Sequence, residues 1–153
     1  MQMYIGTKQI TAKPLTLGDY NLYRGWKQPE GEDPLRAGYL VKYPDGYESW
    51  SPKETFEAAY QKPGELNYGA ALHLLKQGHR VSRSGWNGKG MFIFLVPGSV
   101  FKVNRPPLLG IYPEGTEINY HGHIDMKTAD DTVVPWLASQ SDLLAEDWHL
   151  VTE

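Results

Sequence analysis

The sequence feature that most constrains this chain is the run of six apolar residues Met91–Val96. The run is rich in aromatic and β-branched side chains, which favour strands. Gly88 and Gly90 precede it and Pro97 follows it, so structure-breaking residues delimit it on both sides. The run is too short for periodicity alone to separate a strand from a buried helix, and the flanking residues favour the strand. We therefore predict a strand that is buried on both faces.

The loop that leads into this strand, residues 84–90, places Trp86 among glycines and small polar side chains. Glycine allows a backbone or a ligand to approach closely. A tryptophan in such a loop offers a flat ring face and one N–H donor. Two interpretations follow: Trp86 either caps a small core or contacts a ligand.

Composition excludes several classes of function. The 153 residues include 41% hydrophobic and 22% charged residues, as expected of an ordinary soluble protein, and the net charge of -3 argues against a broad surface for DNA or RNA. The absence of cysteine excludes disulfides, thiolate catalysis and cysteine-based zinc sites, and it fits a cytoplasmic protein. We expect neither a membrane span nor a signal peptide. Five Trp, ten Tyr and four Phe predict a large interface or a stacking site besides the core.

Residues 1–62 predict a small module of mixed helix and strand. Thr16 and Asp19 have the spacing of a helix N-cap and its N3 residue. Two strand-like segments flank residues 44–46, which predict a hairpin turn. Ser51 and Pro52 predict the start of a second helix. The predicted elements are a strand at 3–12, a helix at 15–23, strands at 38–43 and 47–50, and a helix from 52 to about 60. Polar residues with Pro63 and Gly64 place a domain boundary at 61–65.

The second predicted domain covers residues 66–153. Its elements are a helix capped by Asn67, strands at 79–83 and 91–96, a long loop at 97–122, strands at 123–128 and 132–134, a short helix over 142–146 capped by Ser139, and a strand at 148–151. The long loop contains one weak strand near 116–120. The predicted fold class is α+β, with two small modules that each pack a short antiparallel sheet with one or two helices.

Catalytic patterns in the sequence are weak. His121, His123 and Asp125 alternate along one extended segment, so they could share a face and hold a metal ion. This trio supports one alternative function, a metal-dependent hydrolase. The sequence contains no nucleophile-elbow pattern and no glycine-rich phosphate loop. We therefore predict a protein that is not an enzyme and needs no cofactor or resident metal.

A binding function has more support. Trp86 and Trp136 each follow a break next to a strand, and two indoles can sandwich a base between them. Asn87 and Gln140 carry amides that can read a base edge. Three basic residues could neutralise a pyrophosphate, namely Arg83, Lys89 and Lys127. The opposing interpretation is that Trp136 packs against Trp148 in the core, and the residues alone leave both open.

Four stretches of the second domain resemble the phage Thoeris anti-defence protein 2 family. They are NYGAALHLLKQG from Asn67, RSGWNGKGMFIFLVPGS from Arg83, HIDMKTAD from His123 and VPWLASQSDLLAEDW from Val134. They occur in the family's order over residues 67–151, and the combination is specific although no single stretch would be. Residues 1–62 depart from the minimal family pattern and resemble a small accessory module of phage proteins with no assigned role.

The resemblance implies a sponge that sequesters cyclic ADP-ribose isomers, such as glycocyclic ADP-ribose, without degrading them. Some family members also hold cyclic di- or trinucleotides of other defence systems. It further implies a homodimer or homotetramer with pockets between protomers, encoded by a phage or prophage and acting in the host cytoplasm. The candidate ligand residues are Arg83, Trp86, Asn87, Lys89, Asp125, Lys127, Thr128, Trp136, Ser139 and Gln140. A third alternative is a phage structural protein that binds no nucleotide and uses its aromatic residues only for assembly.

Overall fold

The computed structural model describes residues 1–152 and has the predicted α+β class, with small antiparallel sheets and four helices within those residues. The chain divides into an N-terminal unit, Met1–Gln61, and a C-terminal unit that begins at Lys62. Within the described residues, no helix is long and apolar enough to cross a bilayer.

The N-terminal unit contains a three-stranded antiparallel sheet in the order β1-β2-β3. Thr16 caps the first helix through a hydrogen bond from the Asp19 N–H to its hydroxyl at 3.2 Å, and this confirms the predicted cap. The predicted hairpin is also confirmed, with Lys42 paired to Glu48 across the turn. The elements are β1 Thr11–Pro14, α1 Leu17–Arg24, β2 Gly38–Lys42, β3 Glu48–Pro52 and α2 Lys53–Ala59.

Two predicted boundaries in this unit are wrong. The first strand begins only at Thr11, because pairing with β2 starts there, at the Thr11–Lys42 pair. The second helix begins at Lys53 with Pro52 as its N-cap, whereas Ser51 still belongs to β3 and pairs with Tyr39. In both cases the strand pairing, which depends on distant residues, sets the boundary.

The C-terminal unit is built on a five-stranded antiparallel sheet in the order β10-β4-β5-β8-β9. The predicted strand at 91–96 is its central strand, β5. Asn67 caps α3, as predicted, by accepting from the Ala70 N–H at 3.0 Å. The elements are α3 Tyr68–Lys76, β4 Val81–Arg83, β5 Phe92–Val96, β6 Ser99–Lys102, β7 Glu117–Tyr120, β8 His123–Lys127, β9 Val133–Pro135, α4 Gln140–Leu143 and β10 Trp148–Leu150.

The core of this unit lies between α3 and one face of the sheet. Its fully or almost fully buried residues are Ala71, Leu75, Val81, Ile93, Met126 and Trp148. The central strand is not buried on both faces, as its composition predicted. Ile93 and Leu95 share the face toward the core, but only Ile93 is fully buried. Phe92 and Phe94 lie on the opposite face by alternation and remain half-buried.

The segment 97–122 contains a β-ribbon and a loop at 103–116, where the sequence predicted a long loop with one weak strand near 116–120. Strand β7 confirms that weak strand, whereas β6 was not predicted. Strands β6 and β7 pair through residues such as Phe101 and Ile118 and form a separate two-stranded sheet. The ribbon leaves the main sheet where β5 and β8 pair Val96 with His123. Gly98 and Gly122 lie at this junction, where a side chain on Gly122 would come within 3.3 Å of the Val96 carbonyl oxygen. The two glycines therefore allow the backbones to approach closely at the base of the ribbon.

Candidate binding site

Four aromatic rings gather at one end of the α3 face, and we call them the indole cluster: Tyr68, Trp86, Trp136 and Trp148. Trp148 is fully buried, and the other three are half-buried around it. The ring centroid of Trp148 lies 5.4 Å from that of Trp86, 6.2 Å from that of Trp136 and 5.5 Å from that of Tyr68. The start of α3, the loop before β5, the turn after β9 and strand β10 each contribute one ring. The cluster is therefore assembled by the fold from distant parts of the sequence.

The two candidate stacking residues touch each other. The rings of Trp86 and Trp136 are 6.4 Å apart, centre to centre, at an angle of 65°. This edge-to-face contact leaves no space for a base between them, so the sandwich that the sequence suggested does not exist within one chain. Each ring packs against the core, which confirms the core interpretation of both residues. Each also keeps part of its surface exposed, and contact with a ligand stays a prediction. A base can stack only on the outer surface of either ring.

The carboxylate of Asp142 connects the two segments that carry these tryptophans. Its Oδ1 accepts from the Trp86 indole N–H at 3.1 Å and from Arg83 Nη1 at 2.8 Å. Its Oδ2 accepts from the N–H and the hydroxyl of Ser139, at 3.0 and 2.7 Å. Ser139 and Asp142 form a capping box on α4, which runs from Gln140 rather than from the predicted Asp142.

Arg83 is held between two carboxylates and is mostly buried. Its Nε donates to Asp147 at 2.8 Å and its Nη1 donates to Asp142 at 2.8 Å. Hydrogen bonding to Asp147, and secondarily to Asp142, raises the pKa of Arg83 against the opposing effect of burial. The charge of Arg83 therefore serves this internal network through Nε and Nη1. Its Nη2 has no hydrogen bond within residues 1–152, so its role as a pyrophosphate ligand stays a prediction.

Asp142 is ionised despite its burial. Burial by itself would raise the pKa of this carboxyl, but hydrogen bonds from Arg83, Ser139 and Trp86 outweigh it and lower the pKa from 3.8 to about 2. The pKa of Asp147 is also lowered, first by its hydrogen bond from Arg83. Since both carboxyls prefer the charged form in the folded state, they stabilise the fold above their unfolded pKa.

We expect the fold to lose this contribution as the pH falls from about 4 to about 2, by about 2 kcal/mol for Asp142. Urea denaturation at a series of pH values measures the effect. In Asp142→Asn, the free energy of unfolding should fall less steeply across this interval than in the parent. Leu35→Ala, at an exposed position, changes no titratable group; it is the control and should keep the parent's slope. Equal slopes in the parent and Asp142→Asn would contradict the prediction.

The remaining candidate residues near Trp86 are exposed. Asn87, Lys89, Ser139 and Gln140 all lie at the surface. Within residues 1–152, the amides of Asn87 and Gln140 have no hydrogen-bond partner, and Lys89 has no ion pair. These three side chains are therefore available to a ligand without breaking a contact in the protein.

Lys127 is the last residue of β8, and Thr128 begins the turn that follows it, beside the Trp86 loop. Lys127 Nζ lies 2.6 Å from Asp131 and donates to the carbonyl of Gly90 at 3.3 Å. Thr128 hydrogen-bonds to Asp130 and Thr132 inside the same turn. Both residues fix the turn, and Lys127 additionally ties it to the end of the Trp86 loop.

Asp125 is separated from the tryptophans. It pairs with Phe94 in the sheet register, on the face opposite Met126, whereas Trp86 and Trp136 pack against the core. Its Oδ1 lies 3.5 Å from His123 Nε2, whereas His121 contacts His123 through its backbone carbonyl oxygen, 3.1 Å from Nδ1. Among residues 1–152, no three His, Asp or Glu side chains converge in a way that could hold a metal ion. The trio that the hydrolase alternative requires is therefore not assembled.

Sequence reasoning missed three contributors to the site: Tyr68, Asp142 and Asp147. The Ser139–Asp142 spacing signals a cap and so draws attention to Asp142 as a helix residue. No local signal connects Asp142 or Asp147 to Arg83, because the partners are 59 and 64 residues apart.

Comparison with known proteins agrees with the resemblance. Residues 66–151 match the family model described as Tad2-like, the Thoeris anti-defense 2-like domain. A curated protein of Bacillus phage SP01, named Thoeris anti-defense 2, is 42% identical over 88 residues, which cover 58% of this chain and 97% of that protein. The matched segment contains the whole indole cluster and Asp142. Through residues 66–151, the chain belongs to the Thoeris anti-defense 2-like family.

Proposed function

We propose that this protein counters Thoeris defence as a sponge: it binds cyclic ADP-ribose-type signals and holds them without degrading them. The observation that carries the proposal is a pair of half-exposed indoles, Trp86 and Trp136, inside the segment that matches the family. A phage or prophage would encode the protein, and it would act in the host cytoplasm. Cyclic di- or trinucleotides are a second ligand class for the same proposal.

The polar surroundings of the indoles fit a nucleotide. A base would stack on the outer face of one ring, at a gain of about 1–3 kcal/mol. The unpaired amides of Asn87 and Gln140 are suited to a base edge, and the exposed Lys89 to a phosphate. Arg83 would contribute indirectly, because its guanidinium is bound to Asp142 and Asp147.

A second copy of the chain would complete the site. Leu137 and Leu144 flank the Ser139 cap and are 91% and 79% exposed. Exposed leucines this close to a half-exposed tryptophan are typical of an interface. We propose a homodimer or homotetramer, in which a ring from one copy faces a ring from another and supplies the sandwich that one chain lacks.

Sequestration is favoured over hydrolysis by the same geometry. His123 and Asp125 meet, but His121 does not join them, and they lie on the other face of the sheet from Trp86. A ligand stacked on the indole cluster would not reach them. The structural-protein alternative does not account for the unpaired amides of Asn87 and Gln140 beside the indoles.

Size-exclusion chromatography with light scattering tests the proposal. The protein is mixed with glycocyclic ADP-ribose, separated, and then heated to release what it carries. We expect the ligand to co-elute with a particle heavier than the 17.3 kDa monomer and to be recovered chemically intact. A monomer mass would refute the assembly, and absence of co-eluting ligand would refute the sponge. An altered product that disappears with a chelator would favour the hydrolase.

A further inference from the structure

Within residues 1–152, two tryptophans of the indole cluster donate a hydrogen bond through the indole N–H, and Asp142 accepts both bonds. Its carboxylate accepts from the Trp86 N–H at 3.1 Å, and its backbone carbonyl accepts from the Trp148 N–H at 3.0 Å. The two rings meet edge to face at 78°. One residue therefore fixes the half-buried ring relative to the fully buried one.

The same carboxylate sets the position of the helix that carries Ser139 and Gln140. Two hydrogen bonds to Ser139 tie the N-terminus of α4 to Asp142, and the bond to Arg83 ties it to β4. Asp142 is 8% exposed, so water competes little for these bonds. The Trp86 loop and the Ser139 turn thus share a single anchor, although they come from opposite ends of the C-terminal unit.

We propose that Asp142 is a positioning residue of the nucleotide site: it sets the orientation of the Trp86 ring relative to the Ser139 end of α4. This inference rests on the proposed function. It implies that Trp86 recognises its ligand only by stacking, because Asp142 occupies its single N–H donor. Selection of a particular base then falls to neighbouring amides such as Gln140 and Asn87.

The first test makes the same ring substitution at two positions, and only one of the two substitutions breaks this bond. Trp86→Phe keeps an aromatic face and removes the N–H that Asp142 binds. Trp136→Phe is the matched control, because the Trp136 indole N–H has no hydrogen-bond partner within residues 1–152. Calorimetric titration with glycocyclic ADP-ribose should show an affinity about tenfold weaker for Trp86→Phe than for Trp136→Phe. Equal losses in the two variants would overturn the positioning role.

The second test removes the anchor itself. Asp142→Asn keeps the shape of the side chain and removes its charge, and we expect about tenfold weaker binding. The indole ¹H–¹⁵N resonance of Trp86 should shift, while the resonances of the N-terminal unit stay in place. In Trp86→Phe, Asp142→Asn should weaken binding much less, since the bond is already absent.

The outcomes separate the two proposals. If the parent protein binds no ligand, the sponge fails and the positioning role fails with it. If the parent binds and folded Asp142→Asn binds equally well, only the positioning role is overturned. If Asp142→Asn does not fold, the comparison of Trp86→Phe with Trp136→Phe decides, because both of these variants keep Asp142.

Discussion

Replacing Trp148 with alanine is expected to unfold the C-terminal unit under conditions where the parent is folded. Trp148 is fully buried and is the largest of the buried side chains. Truncation of a core tryptophan costs about 3–5 kcal/mol, and small domains have only about 5–15 kcal/mol in total. The substitution also leaves the Asp142 carbonyl without the Trp148 donor and weakens the strand that pairs with β4. The expected loss is therefore at the upper end of this range.

Urea denaturation followed by circular dichroism measures the Trp148→Ala effect. Trp26→Ala is the matched control, because Trp26 is 54% exposed and lies in the N-terminal unit. The control should lose much less stability than Trp148→Ala, since most of its ring is already in contact with water. A loss below about 1 kcal/mol for Trp148→Ala would contradict the assignment of Trp148 to the core.

Trp86→Ala is expected to abolish ligand retention and to lower stability less than Trp148→Ala does. Loss of one stacking face weakens binding by about 1–3 kcal/mol, which is about tenfold to a hundredfold in affinity. The sequence suggested that Trp86 could be removed with the fold intact. Its packing against Trp148 and its bond to Asp142 instead predict a moderate loss of stability as well.

Melting curves and titration with glycocyclic ADP-ribose, made on the same samples, separate the two effects. Trp136→Ala should lose a similar amount of binding, because Trp136 is the other half-buried ring of the pair. Leu35→Ala, at an exposed position of the N-terminal unit, should change neither quantity. Should Trp86→Ala remain folded and bind like the parent, the ring is only a core residue and the ligand must bind elsewhere.

Features that depend on residues close together in the sequence could be predicted from it. The caps at Thr16 and Asn67 and the hairpin between β2 and β3 are set by local chemistry, and all three are confirmed. Strand β6 was missed because it is stabilised by pairing with β7, and its residue Phe101 has its partner at Ile118. Its composition alone, next to Pro97 and Gly98, indicated a loop.

The candidate site likewise combines features set by residues adjacent in the sequence with features set by distant ones. The glycine-flanked loop singles out Trp86 as a candidate, and Asp142 three residues later indicates the capping role of Ser139. The edge-to-face contact of Trp86 with Trp136 could not be predicted, because it depends on how β9 and the loop before β5 come together. Nor could the pairing of Arg83 with two carboxylates, which are distant from it in the sequence.

The β-ribbon at 97–122 has a consequence for protein engineering. Strands β5 and β8 are already paired at Val96 and His123, so the ribbon extends a hairpin whose two ends are in place without it. None of its residues belongs to the indole cluster or contacts Asp142. Sequences of other lengths, or a reporter peptide, could therefore be grafted between Gly98 and Gly122 to build a sensor that keeps the surface of the indole cluster unchanged.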